Sequence, residues 1–169
     1  PEPVFTFCGV FDDRSAESIT IINEKPLKVM VAAEGYGYVY YCDLDVEYQE
    51  GRCRKNYFSA IKHGELREIS GMDISKEGYL YAVGDNATKV YKLSPGCTKQ
   101  ERCKVEERNY LPKRLNQAEA LDINRCPERN RECLYVADIG RYGTGLLYTF
   151  DLTYNYWHKK PININPSGK

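Results

Sequence analysis

The sequence holds no run near the roughly 18 consecutive apolar residues of a membrane-spanning helix, so no membrane span is expected in the given residues. It has no excess charge of either sign: Lys plus Arg and Asp plus Glu both number 24, and the formal net charge is zero. A nucleic-acid or anionic-membrane partner usually leaves a basic excess, so neither is expected. Histidine is scarce, with only His63 and His158, and no two cysteines stand in a CxxC pair. Both shortages weigh against a zinc site. No GxSxG elbow presents a nucleophilic serine. Helical periodicity is missing except around 108–120, where Pro112 opposes a helix. Pro1 stands where an initiator methionine would and no signal sequence precedes it, so the chain reads as a processed mature protein or an excised fragment.

Cysteine, by contrast, is abundant. Of seven residues, six fall into close pairs: Cys42 with Cys53, Cys97 with Cys103, and Cys126 with Cys133. Each pair brackets a short polar segment (DLDVEYQEGR, TKQER and PERNRE), the arrangement expected of a hairpin pinned by a disulfide. By loop-closure entropy each bridge stabilises the fold by roughly 2–3 kcal/mol. Disulfides imply an oxidising compartment, hence a secreted or lumenal protein. Asn86-Ala87-Thr88 is a glycosylation sequon and agrees with that reading. Cys8 is left over and is the candidate for an intermolecular bridge.

An internal repeat organises the rest. Three segments open alike: Ala16–Ile21 (AESITI), Ile69–Ile74 (ISGMDI) and Ala118–Ile123 (AEALDI), with starts 53 and 49 residues apart. Each is followed by an apolar strand (KVMVAA, YLYAV, LYVAD), a turn rich in Gly or Asn, and a third strand with a shared core (VYY, VYK, LYT). A more polar fourth strand closes each unit, around 53–58, 103–108 and 154–159. At 169 residues the chain is one domain: an N-terminal arm or strand at 1–15, units at 16–60, 61–112 and 113–160, and a tail at 161–169. Each unit is four short strands with β-branched and aromatic residues concentrated in the middle two. The expected fold is all-β.

The segments GMDISKEGYLYAVGDNATKVYKL and ALDI…LYVADIGRYGTGLLYTFDL resemble blades of the six-bladed β-propeller superfamily, which includes NHL-repeat, senescence-marker/gluconolactonase-like and yellow-like proteins. The resemblance spans about 16–160 and implies half a propeller. Three blades cannot close a ring, so a homodimer completing six blades is expected. The alternative fold is a β-trefoil, which closes three four-stranded repeats within one chain, although no QxW-like signature is present.

Related six-bladed lactonases and arylesterases hold a calcium ion at the channel mouth with Glu, Asn and Asp side chains. By position, the resemblance puts Glu17 and Glu119 in the acidic, metal-binding place, with Ser70 where a further ligand is expected. His63, in the connection before the first strand of the second unit, is a second candidate at the mouth. Asp73 and Asp122 recur in register and read as structural, accepting backbone N–H bonds from the following turn. Tyrosine is in excess at fifteen residues, and Tyr36, Tyr38, Tyr156 and Trp157 are candidates for binding a sugar, a flat hydrophobe or a pigment. The expected function is a secreted, non-enzymatic binding protein, lectin-like or a small-molecule carrier. The alternatives are a calcium-dependent hydrolase of the lactonase or arylesterase type and an extracellular protein-interaction module.

Overall fold

The structure is a computed structural model that describes residues 16–33, 38–45, 50–57, 66, 68–99, 104–127, 130–139, 145–158 and 162–164. They form three antiparallel sheets in chain order. The first is the meander β1 (Ala16–Glu24), β2 (Leu27–Ala33), β3 (Tyr38–Asp45) and β4 (Glu50–Tyr57). The second is β5 (Ile69–Ile74), β6 (Leu80–Gly84), β7 (Lys89–Leu93) and β8 (Val105–Tyr110). The third is β9 (Ala118–Arg125), β10 (Glu132–Asp138), β11 (Gly145–Asp151) and β12 (Tyr156–Trp157), with β13 (Ile162–Ile164) also paired to β11. Among the described residues no helix is long and apolar enough to cross a membrane.

The all-β class and the three meanders agree with the repeat read from the sequence. The third unit departs in one respect: its fourth strand is split. After β11 the chain turns through Leu152–Asn155, where the Asp151 carboxylate accepts the N–H groups of Thr153 (3.0 Å) and Tyr154 (3.1 Å). Asn155 takes the left-handed conformation, φ 57°, which asparagine tolerates better than most residues. This tight turn leaves β12 pairing only with Phe150 and Asp151, and β13, from the segment expected to be a tail, covers Gly145–Leu147.

The sheets pack face to face, with β1 beside β5 and β5 beside β9. Alternation along each strand sends successive residues to opposite faces. Met30, Ala32, Val39 and Tyr41 of the first sheet therefore meet Met72, Leu80, Ala82 and Leu93 of the second in one core layer. Tyr81, Val83 and Val90, on the other face of the second sheet, meet Leu121, Leu134, Val136, Tyr148 and Phe150 of the third. The middle sheet has a neighbour on both sides, which is why β6 reads as an unbroken apolar run and is buried throughout. Each fully buried Leu, Val or Met contributes about 1.5–3 kcal/mol relative to exposure.

One disulfide, Cys126–Cys133, with Cα atoms 4.9 Å apart, closes the turn between β9 and β10, where the Cys126 N–H donates to the Arg131 carbonyl at 2.8 Å. Cys42 and Cys97 are also disulfide-bonded. Cys42 stands directly across the β3–β4 ladder from Cys53. Cys8 and Cys103 lie outside the described residues.

Candidate functional site

The three first strands share a local irregularity. Each ladder with the second strand skips one residue at the same place: Glu17 between Ala16 and Ser18, Ser70 between Ile69 and Gly71, and Glu119 between Ala118 and Ala120. A β-bulge leaves its extra residue unpaired and re-aims the side chain. The three positions expected at a channel mouth are thus equivalent in backbone terms, but their surroundings differ. Glu17 and Glu119 are exposed. Ser70 is buried, and its hydroxyl donates to the Asp85 carboxylate, with the Glu68 carbonyl 3.3 Å away. At these three positions one chain presents two exposed carboxylates and one buried hydroxyl.

Among the described residues, the three ligand-type side chains that come within 4.8 Å of one another are Cys126, Cys133 and Asp151. They are already committed. The two sulfurs are bonded to each other, and Asp151 Oδ2 lies 2.8 Å from an Arg131 guanidinium nitrogen. That nitrogen sits off the hydrogen-bonding axis, so the contact is an ion pair. Asp151 is a structural acid.

Asp73 is the hub of the first strands. Its Oδ1 accepts the Thr20 hydroxyl of β1 at 2.8 Å and the Ile74 N–H of its own strand at 2.8 Å, and its Oδ2 accepts the Ile123 N–H of β9 at 2.7 Å. Nearby, Ser18 Oγ accepts the Met72 N–H at 3.0 Å. The structural role expected of Asp73 is therefore present, but its partners come from three sheets rather than from a turn. Asp122, its counterpart in the third sheet, is exposed. Asp138, buried at the end of β10, accepts the N–H groups of Asn116 and Gln117 and so pins the connection from the second sheet to the third.

The aromatic candidates divide. Trp157 packs against Phe150 (4.9 Å between ring centroids) and edge-on to Tyr148 (6.4 Å), so its body belongs to the core layer between the second and third sheets. Tyr156 is exposed and stands in a row, with Tyr154 6.4 Å on one side and His158 5.5 Å on the other. The Arg131 guanidinium lies over the Tyr154 ring at 4.3 Å. The His158 N–H donates to the Thr149 carbonyl at 2.8 Å, which ties the end of the row to β11. Tyr154 belongs to the same aromatic cluster in the sequence as Tyr156 and Trp157, whereas His158 is not among the ligand-binding candidates. The spacing of two from Tyr154 to Tyr156 to His158 was the available signal. Tyr36 and His63 lie outside the described residues, as does the Tyr38 side chain. Asn86 is exposed in the turn between β6 and β7, and its carbonyl accepts from Arg114 Nε at 3.2 Å.

Three tyrosines, the buried Tyr81 and Tyr148 and the half-buried Tyr135, have pKa values raised above the ordinary one. Burial raises the pKa of Tyr81, with Glu107, Glu77 and Glu132 adding to the effect. Burial followed by Asp122 raises Tyr135, and burial followed by Asp138 raises Tyr148. The Tyr135 hydroxyl donates to the Arg125 carbonyl at 3.0 Å.

The sequence matches no protein-family model and no curated protein.

Proposed function

We propose that the chain is a secreted, non-enzymatic binding protein, of the lectin or small-molecule-carrier kind, built from propeller-type blades. The blade reading is supported by three consecutive four-stranded meanders whose first strands are neighbours and carry the same bulge. Secretion is supported by the Cys126–Cys133 disulfide and by the exposed Asn86 sequon.

The observation that carries the binding role is the exposed row Tyr154, Tyr156 and His158, flanked by Arg131. Tyrosine and histidine rings side by side offer apolar faces to the C–H face of a sugar or to a flat ring. Their polar edges supply directional contacts, and Arg131, ion-paired to Asp151, holds the Tyr154 ring in place. The row is held by the Asp151-capped turn and by β11, so little ordering entropy is lost on binding. Binding to an array of neutral oligosaccharides tests the lectin form of this reading. Retention of a subset, lost at least tenfold in Tyr156→Ala, is the expected outcome. No retained oligosaccharide, or retention unchanged in Tyr156→Ala, rejects it.

A further inference from the structure

The repeat leaves one acceptor without its counterpart. Asp73 pairs across the ladder with Tyr81, and Asp122 pairs with Tyr135 at the same place in the next sheet. Asp73 uses that position to take the N–H of Ile123 from the following sheet at 2.7 Å. Asp122 is exposed, and among the described residues it has no hydrogen-bond partner.

The matching donor lies at the other end of the chain. Ile123 faces Leu134 in its ladder, and the equivalent residue of the first sheet is Ile21, facing Val29. The N–H groups of Met72, Ile74 and Ile123 all reach side-chain acceptors instead of their own ladders. By register, those of Ile19 and Ile21 also point off the β1–β2 ladder. Thr20 faces the second sheet through Asp73, so Ile19 and Ile21 lie on the opposite side of β1, where they are 65% and 57% exposed. Val29 and Val31 behind them are already buried, so the open part of that side is β1 itself.

We infer that a second copy of this chain closes the structure, with Asp122 of each copy accepting the Ile21 N–H of the other. The junction continues the one between the second and third sheets. Its spacing is set by the small residue opposite the incoming strand. At Gly71 an added Cβ would come within 2.3 Å of the Leu121 nitrogen, so the β5–β9 approach is close. Between the first and second sheets the same place holds Ser18, whose Cβ is accommodated and whose Oγ bonds to Met72. Ala120 holds that place in the third sheet, so the new junction takes the wider spacing of the Ser18 type. A twofold axis uses each copy's Asp122 side and Ile21 side once and leaves neither end open, whereas head-to-tail addition without closure would grow fibres. Two sets of three sheets then make a ring of six. The inference rests on the blade reading above and is independent of the ligand.

The test is light scattering of the full oxidised, unglycosylated chain at low micromolar concentration. The expected mass is twice the 19.5 kDa of one chain. Asp122→Arg puts a bulky cation at the junction, and Ile21→Pro removes one N–H from a strand edge outside the ladder. Each is expected to halve the mass with the far-ultraviolet circular dichroism unchanged. If one variant fails to fold, the other decides. A wild-type mass of one chain, a mass that grows continuously with concentration, or folded variants that keep the doubled mass would each overturn the inference. Oligosaccharide retention through Tyr156 on the same samples reads the binding proposal separately, since neither substitution touches the aromatic row.

Discussion

Thr20 and Asp73, 53 residues apart in the chain, meet in a 2.8 Å hydrogen bond from hydroxyl to carboxylate between the first and second sheets. The other oxygen of that carboxylate holds the third sheet through the Ile123 N–H at 2.7 Å. One side chain thus ties together three sheets that share two core layers.

Removing it should be felt globally. Asp73→Ala leaves the Ile123 N–H and the Thr20 hydroxyl unpaired, and the expected loss is about 2–4 kcal/mol. Thr20→Val should cost about 1 kcal/mol, and the two changes should be non-additive because they share one bond. Urea unfolding of the single and double variants measures this. A loss under about 0.5 kcal/mol for Asp73→Ala, the range of ordinary surface changes, would contradict the bridging role.

Gly71→Ala is the steric counterpart. The new methyl would lie 2.3 Å from the Leu121 nitrogen and 2.8 Å from the Ala120 carbonyl carbon, both backbone atoms that cannot swing away. The second and third sheets must separate, at an expected cost of about 3 kcal/mol. An unchanged thermal midpoint would show that the junction is looser than described.

The Cys126–Cys133 bridge spans seven positions. Loop-closure entropy for so short a loop gives about 2.5 kcal/mol, the expected loss for Cys126→Ala with Cys133→Ala. Non-reducing peptide mapping should also return Cys42 with Cys53, which face each other across β3 and β4, and Cys97 with Cys103. A peptide linking cysteines of two different pairs would refute the scheme.

Alkali should unfold the protein partly through Tyr81. Burial and neighbouring carboxylates raise its folded pKa above the usual value of 10, so the folded state keeps the phenol proton longer than the unfolded state does. The contribution is intact below about pH 10 and falls as pH rises further, with a slope of up to about 1.4 kcal/mol per pH unit. Tyr81→Phe should flatten the stability profile above pH 10. An equal slope in both proteins would assign the alkaline limb elsewhere.

Much of this architecture was legible before any coordinates. The aligned openings AESITI, ISGMDI and AEALDI place the bulge residue and the Asp73/Asp122 position in register, because strands of one repeat share the same alternation. The spacing of Cys126 and Cys133 across PERNRE points to a pinned hairpin, since seven positions suit only a tight turn. The site was less legible. Trp157 reads as a ligand aromatic from its neighbours Tyr154 and Tyr156, yet strand alternation turns it onto Phe150 and into the core. Ser70 aligns with Glu17 and Glu119 and still differs from them, because the Asp85 carboxylate fifteen residues on claims its hydroxyl.

By itself, then, the chain's pattern of alternating apolar residues, turn residues and paired cysteines determines three four-stranded units and their internal register, for these depend on neighbours close in sequence. Which acid bridges sheets and which stays exposed depends on contacts about fifty residues apart. Among the described residues Asp73 has a sheet on either side and Asp122 has one on only one side, so the same residue at the same place in the repeat bridges sheets in one case and is exposed in the other. Packing order alone makes that difference, and no local pattern encodes it.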